Sequence, residues 1–113
     1  MKFKRFQIWL ADLNPRVGTE TGKVRPVVII QTNLLNKTHP SVIVCPITSK
    51  TRNNVSILRV NTNNEQNGLK KPSAIMIDQI RAIDGKRLIK KLGSIDEDLQ
   101  QKIIDNIKIV LDM

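Results

Sequence analysis

The stretch Arg25-Pro26-Val27-Val28-Ile29-Ile30 decides the fold class of this 113-residue chain. Four consecutive β-branched residues are typical of a strand buried on both faces, because branching at Cβ stiffens χ1 and packs well on a pleated surface. Along the whole chain, sixteen Ile and nine Val outnumber ten Leu, an excess that favours strands over helices. The sequence therefore predicts a mainly β fold.

Alternating or continuous apolar segments on both sides of this run predict further strands. They are bounded by turn signals such as Asn14-Pro15 and Asp84-Gly85, and residues 33–40 are interpreted as a turn or short helix. Because Pro46 has no amide hydrogen for a ladder, we expect the strand that contains it to end in a bulge or to lie at an edge near Thr48. The predicted flanking strands are residues 8–13, 41–47, 55–60, 73–78 and 86–91.

The last twenty residues predict one amphipathic helix. Ser94 and Glu97 match a capping box, and five apolar residues then recur on one helical face. The acidic triplet 96–98 lies in the first turn, where the helix dipole favours negative charge. With no repeat or linker in the sequence, we expect a single domain over residues 1–113, with this helix at the end of the chain.

Charge is distributed unevenly along the chain. The net charge of +9 divides into +12 for residues 1–93 and −3 for residues 94–113. Between Glu20 and Glu65 there are six basic residues and no acidic one: Lys23, Arg25, Lys37, Lys50, Arg52 and Arg59. A surplus of this size on a small domain indicates a polyanionic partner, and this interval is the best candidate for the surface that faces it.

Several classes of protein are excluded by the same counts. A single cysteine, Cys45, excludes an internal disulfide and a cysteine-based zinc site, and one histidine, His39, excludes a two-histidine ribonuclease. The carboxylates of residues 1–93 form no metal-binding pattern, and there is no phosphate-binding glycine loop of the Walker type. We therefore expect no metal and no cofactor. The apolar runs are too short for a membrane span, so we expect a cytoplasmic protein.

Aromatic residues are confined to Phe3, Phe6 and Trp9, and tyrosine is absent. Domains that bind single strands by stacking spread aromatic side chains over several strands, which this chain cannot do. We expect Trp9 to be a core residue. A nucleic acid would be held here by phosphate contacts and hydrogen bonds.

One loop, Glu20-Thr21-Gly22-Lys23-Val24-Arg25-Pro26, joins a carboxylate to an arginine. Proline restricts the residue before it to extended backbone, so Arg25 is fixed where the loop becomes a strand. Its planar guanidinium can contact two phosphate oxygens and stays charged. Thr48 could donate a hydroxyl hydrogen to the same phosphate. As a bare pattern, this set is more typical of a structural ion pair and a capping threonine than of an anion site.

Five sequence blocks in this order and spacing resemble the MazF/PemK family of toxin endoribonucleases. They are Trp9-Leu10-Ala11-Asp12-Leu13-Asn14-Pro15, Gly18-Thr19-Glu20, Arg25-Pro26-Val27-Val28-Ile29-Ile30, Pro46-Ile47-Thr48-Ser49, and residues 78–84 with Arg87-Leu88. The resemblance spans almost the whole chain. It implies a small SH3-like, CcdB-type antiparallel barrel with a C-terminal amphipathic helix. It also implies a homodimer, metal-independent cleavage of single-stranded RNA, and a cognate acidic antitoxin with which the toxin forms a DNA-binding complex.

The resemblance places Arg25 and Thr48 at the catalytic positions, with Glu20 in the adjoining loop as the candidate general base. The implied reaction is attack by a ribose 2′-hydroxyl on phosphorus, leaving a 2′,3′-cyclic phosphate and a 5′-hydroxyl. One departure from the family is Phe6-Gln7, where Gly-Asp is usual, and we expect local changes there. The residues expected to bind RNA are Thr19, Lys23, Ser49, Lys50, Arg52, Asp78, Gln79 and Arg81.

Two alternatives stay open on the sequence. One is a basic barrel that binds RNA without cleaving it. The other is a toxin of the same fold that poisons DNA gyrase, as the CcdB relatives do. The Arg25-Pro26 and Thr48-Ser49 blocks argue against the second alternative.

Overall fold

A computed structural model describes residues 2–50, 57–62 and 67–113 of the chain. Seven strands and two helices follow one another in these residues. The strands are β1 (Gln7–Asp12), β2 (Val24–Ile29), β3 (Ser41–Thr48), β4 (Arg59–Thr62), β5 (Ser73–Met76), β6 (Arg81–Asp84) and β7 (Leu88–Ser94). The helices are α1 (Asn33–Asn36) and α2 (Glu97–Val110), and short 3-10 turns span Ile77–Gln79 and Gly85–Arg87.

The strands form one antiparallel sheet with β2 near its centre. Their order is β4-β5-β3-β2-β1-β7, and β6 pairs with β3 beside this path. No ladder joins β4 to β7 within the described ranges, so the sheet is barrel-like in a loose sense rather than closed. The predicted fold class, a mainly β antiparallel fold with a C-terminal helix, is confirmed.

The first half of β3 pairs with β6 and its end pairs with β5, while β2 occupies the opposite edge. Pro46 lies where this change of partner occurs, between the pairs Val44↔Arg81 and Ile47↔Ile75. The carbonyl of Ile43 faces β2, so the alternation of the backbone turns the nitrogen of Pro46 to the other edge. The strand therefore continues through Pro46 and ends at Thr48, one residue beyond its predicted end, and its register with β2 runs through Pro46 without the expected bulge.

Two apolar clusters lie on opposite faces of the sheet. The first cluster contains Trp9, which is 6% exposed as expected of a core residue, together with Val27 and Ile29 of β2. The second cluster contains the intervening Val28 and the buried face of α2, including Ile103. Because neighbouring residues of β2 enter different clusters, this strand is buried on both faces, as its sequence predicts.

Some predicted boundaries differ from the structure. The predicted strand 73–78 ends at Met76, and a separate strand that the sequence did not reveal, β6, follows the turn at Ile77–Gln79. The predicted strand at 86–91 begins only at Leu88, after the turn at Gly85–Arg87. Of the predicted strand 55–60, residues 55 and 56 lie outside the described ranges, and β4 begins at Arg59.

Helix α2 begins one residue after its side-chain cap. Asp96, rather than the predicted Ser94, is the capping residue, and its carboxylate accepts a hydrogen bond from the backbone of Leu99 at 3.0 Å. Glu97 and Asp98 occupy the first turn, as expected of acidic residues near the positive end of the helix dipole. Within the described residues, no helix is long and apolar enough to cross a membrane.

Phe6 lies in the turn before β1, and Gln7 is the first residue of that strand. Phe6 has a φ of 66°, in the left-handed region that glycine adopts more readily, and its ring is buried in the second cluster. The side-chain oxygen of Gln7 accepts hydrogen bonds from the backbone of Lys4 at 2.9 Å and from Nε1 of Trp9 at 3.0 Å. The two residues therefore support the start of the sheet through packing and hydrogen bonds.

Candidate nucleic-acid interface

The pairing of β2 with β3 places Arg25 and Thr48 together. The observed register pairs Ile29 with Val44, Val28 with Cys45 and Val27 with Pro46. Continuing this register by two residues sets Arg25 directly across from Thr48. Because side chains alternate along a strand, both residues share the face that carries Val27 and Ile29 further along. Two residues that are 23 positions apart in the sequence thus meet at one end of the sheet.

The loop before β2 holds the Arg25 side chain. Its Nε donates a hydrogen bond to the carbonyl oxygen of Gly22 at 2.9 Å, which leaves the two terminal nitrogens for an anion. Arg25 is half-buried, and this burial lowers the pKa of its guanidinium from the ordinary value. A partly desolvated cation interacts more strongly with phosphate than one fully surrounded by water. Arg25 is therefore a positioned anion ligand.

Thr48 stands at the end of β3, half-buried beside the start of the next loop. Its Oγ1 accepts a hydrogen bond from the backbone of Lys50 at 3.2 Å. An oxygen that accepts this bond can still donate its own hydrogen to a second partner. Thr48 can therefore donate to an oxygen of an anion bound beside Arg25.

Both residues line a groove of about 630 Å³. Its lining residues come from β1, the start of β2 and the loop before it, the end of β3 and the loop after it, residues 68–73, and β7. Six of the described lining residues are cationic and none of them is acidic; the cations are Lys23, Arg25, Lys50, Lys70, Lys71 and Lys90. A concave surface of one charge sign attracts a polyanion and concentrates its field. The groove is the strongest candidate for a nucleic-acid interface.

The groove contains part of the predicted site. Besides Arg25 and Thr48, it is lined by Lys23, Ser49 and Lys50. The other described candidates, which are Thr19, Glu20, Asp78, Gln79 and Arg81, are not among its lining residues. Arg52 lies outside the described residues.

Glu20 is exposed in the loop between β1 and β2. Its backbone N–H donates a hydrogen bond to the carbonyl of Val17 at 3.0 Å, which closes a turn. The neighbouring Thr21 packs towards the sheet, where its hydroxyl lies 3.9 Å from the sulfur of Met76 and its carbonyl accepts a hydrogen bond from Arg81 at 3.5 Å. Thr21 therefore contacts Met76 and Arg81, while Glu20 is not among the residues that line the groove.

Asp78 forms an ion pair with Arg59, which joins the turn at Ile77–Gln79 to β4. The two side chains are 30% and 37% exposed, so the pair contributes little to stability after screening by solvent. The negative charge of Asp78 also disfavours ionisation of the nearby thiol of Cys45. Burial, with a smaller contribution from Asp78, raises the pKa of the Cys45 thiol to about 12, so this thiol is neutral and unreactive.

Lys70, Lys71 and Lys90 are groove residues that the sequence did not single out. The first two lie between β4 and β5, and Lys90 lies on β7. Only the general basic surplus of residues 1–93 could have indicated them. Within the described part of the chain, no three His, Cys, Asp or Glu residues are placed to hold a metal ion.

Comparisons with known proteins agree with this geometry. A family model described as PemK-like, MazF-like toxin of type II toxin–antitoxin system matches residues 4–111. The chain is 35% identical over 111 residues to Endoribonuclease EndoA of Bacillus subtilis, covering 98% of this chain and 96% of that protein. It superposes on MazF of Deinococcus radiodurans with a TM-score of 0.86 at 18% identity, covering 100% and 99% of the two chains. It also superposes on a mycobacterial endoribonuclease in complex with its cognate antitoxin, with a TM-score of 0.77 at 18% identity, covering 99% and 95%.

Proposed function

This chain belongs to the PemK-like, MazF-like toxin family of type II toxin–antitoxin systems, and we propose that it is an endoribonuclease whose groove cleaves single-stranded RNA beside Arg25 and Thr48. The endoribonuclease activity is inferred from the relative that is 35% identical to this protein over nearly the whole chain. The observation that carries the location is the groove itself, in which Arg25 and Thr48 lie among five lysines and no described acidic residue.

We propose that the reaction is attack of a ribose 2′-oxygen on the adjacent phosphorus. The 2′-O–P bond forms as the bond from phosphorus to the 5′-oxygen breaks, which leaves a 2′,3′-cyclic phosphate and a 5′-hydroxyl. The proton of the 2′-hydroxyl passes to a base, and the departing 5′-oxygen gains a proton. Arg25 neutralises the charge that develops on the phosphate, and Thr48 donates a hydrogen bond to a non-bridging oxygen.

Glu20 remains our candidate for the general base. A carboxylate can accept a proton near neutral pH, whereas an arginine is protonated there even when burial lowers its pKa. Because Glu20 does not line the groove, this role requires the loop of residues 14–23 to move towards the 2′-hydroxyl. With Glu20 as the base, Glu20→Gln lowers kcat while KM and the urea unfolding curve stay close to those of the native protein.

The proposed partners follow from the family. We propose a cytoplasmic homodimer inhibited by a cognate acidic antitoxin, a segment of which covers the basic face and which joins the toxin in a DNA-binding complex. Relatives of the same fold are described as MazE-MazF complexes and as an endoribonuclease with its cognate antitoxin. Opposite net charges favour such an association. An acidic antitoxin fragment encoded beside this protein should inhibit cleavage, and failure of every such fragment to inhibit contradicts this part.

The test of the reaction is cleavage of a long natural RNA in excess EDTA, with both new ends mapped. We expect full activity, cyclic phosphate and 5′-hydroxyl ends, and a recurrent sequence at the cut sites. DNA of the same sequence should stay intact, because it has no 2′-hydroxyl. Arg25→Ala should abolish cleavage while its urea unfolding curve stays close to that of the native protein. Native-like cleavage by this variant overturns the proposal.

The same assay addresses the two alternatives. Turnover of RNA excludes a barrel that only binds it. For the second alternative, the chain is incubated with DNA gyrase and plasmid DNA, and accumulation of cleaved DNA would support gyrase poisoning. The comparisons give this alternative no support.

A further inference from the structure

We propose that Lys70, Lys71 and Lys90 form a preassembled phosphate-binding wall that holds RNA in the groove that Arg25 and Thr48 also line. We name these three residues the lysine wall. The inference rests on the proposed function, and it assigns a binding role to residues outside the expected site. It states that the wall determines how tightly the RNA strand is held, while Arg25 and Thr48 carry the chemistry.

A close backbone contact fixes the segment that carries Lys70 and Lys71 against β7. Gly68 and Gly93 lie backbone to backbone: a Cβ on Gly68 would stand 2.0 Å from the carbonyl oxygen of Leu92, and one on Gly93 would stand 2.1 Å from that of Asn67. No side chain can fit at either position without moving backbone. The two glycines thus bring the segment that carries Lys70 and Lys71 onto the strand that carries Lys90.

Internal hydrogen bonds also hold this segment. Asn67 is buried, its Nδ2 donates to the hydroxyl of Thr62 at 2.8 Å, and its Oδ1 accepts from the backbone of Leu69 at 2.8 Å. At the other end, the hydroxyl of the buried Ser73 donates to the carbonyl of Lys71 at 2.9 Å. A segment tied at both ends loses little backbone entropy when a ligand binds.

The charges of the lysine wall also favour bound phosphates. Lys70, Lys71 and Lys90 are exposed lysines beside one groove, and none of its described lining residues is an acidic partner for them. Mutual repulsion makes such a cluster unfavourable in isolation, and bound phosphates relieve it. Flexible ammonium groups suit successive phosphates of a single strand, because they impose no base preference.

The test compares the double variant Lys70→Gln/Lys71→Gln with Lys102→Gln/Lys108→Gln. The control removes the same charge from exposed positions on α2, away from the groove. The probe is an RNA with one 2′-deoxynucleotide at the mapped cleavage site, which binds without being cut. Affinity for this probe is measured by fluorescence anisotropy over a range of salt concentrations. The values of kcat and KM are measured on the same RNA with an ordinary ribonucleotide at the cleavage site.

Each phosphate contact to a single strand adds about 0.7 to the slope of log affinity against log salt. Loss of two contacts should therefore flatten the slope by about 1.4 and weaken binding roughly 10-fold at about 0.15 M salt. We expect KM to rise by a similar factor with kcat unchanged, and the control to behave as the native protein. Lys90→Gln should add a further weakening of roughly fourfold.

Four results overturn the lysine wall. The first three are an unchanged salt slope in the double variant, an equal effect in the control, and a fall in kcat with KM unchanged. A further one is loss of inhibition by the antitoxin with RNA affinity intact, which would make the wall a protein-docking surface. These outcomes differ from failure of the proposed function, in which the native protein itself does not cleave RNA. A native protein that cleaves RNA but binds it independently of these lysines refutes the wall alone.

Discussion

Phe6 supplies a test of how this chain accommodates a bulky residue in the left-handed region of the backbone. Its backbone is fixed from two sides: its N–H donates to the carbonyl of Ile29 at 2.7 Å, and its own carbonyl accepts from Ile95 at 2.9 Å. These bonds hold φ at 66°, where a side chain at Cβ is strained. The ring is 8% exposed and packs in the second cluster. Burial of the ring and strain of the backbone therefore act on stability in opposite directions.

The two contributions can be separated with Phe6→Ala and Phe6→Gly. Replacing a buried Phe by Ala typically costs about 3–5 kcal/mol, through lost burial and the cavity left behind. Ala keeps the left-handed strain of about 1–2 kcal/mol, which Gly relieves at an entropic cost of about 0.5–1 kcal/mol. We therefore expect both variants to be destabilised, with Phe6→Gly more stable than Phe6→Ala by about 1 kcal/mol. At positions with negative φ the order is reversed, and the Ala variant is the more stable of the two.

Urea unfolding at equilibrium measures the difference. The two variants should share one m-value, and with m of about 1–3 kcal/mol/M the midpoint of Phe6→Gly should lie about 0.3–1 M above that of Phe6→Ala. Phe6→Leu, which keeps most of the buried volume and the strain, should fall between native protein and both variants. Equal midpoints, or a higher midpoint for Phe6→Ala, would refute the left-handed conformation at Phe6.

Three further predictions follow from named contacts. Arg25→Lys keeps the positive charge but loses the planar guanidinium, so kcat for cleavage should fall by at least about 10-fold. Unfolding curves should show little change in stability. A native kcat would contradict the role of the guanidinium geometry. Ile103→Ala removes a fully buried contact between α2 and the sheet, and should lower the free energy of unfolding by about 2–5 kcal/mol, with a loss near zero as the contradicting result. Folding favours the neutral thiol of Cys45, because it raises the pKa of this thiol from about 9 to about 12. The free energy of unfolding should therefore be unaffected by this group below about pH 9 and should decrease as the pH rises from about 9 to 12. In Cys45→Ala this decrease should be shallower. A thiol reagent at pH 8 should label Cys45 only after unfolding, and rapid labelling of the native protein would contradict its burial.

Much of the fold follows from local sequence patterns. The β-branched run at Val27–Ile30 predicts a strand buried on both faces, and β2 enters both apolar clusters. The apolar spacing after residue 96 predicts α2. These predictions succeed because strand and helix periodicities are properties of neighbouring residues, and burial follows directly from them. Boundaries that depend on partners, such as the separation of β6 from β5 by the turn at Ile77–Gln79, do not follow from the pattern of neighbouring residues.

The sequence by itself determined the type of residues in the site: Arg25 before a proline, a hydroxyl at Thr48, and a basic excess that requires a polyanion. Only the tertiary structure decided which of these residues meet. The register of β2 against β3 sets Arg25 opposite Thr48, and the contact of Gly68 with Gly93 adds the lysine wall, while Glu20 stays outside the groove. The physical reason is that local propensity fixes each strand, whereas strand pairing and backbone contact between distant segments fix which side chains share one surface.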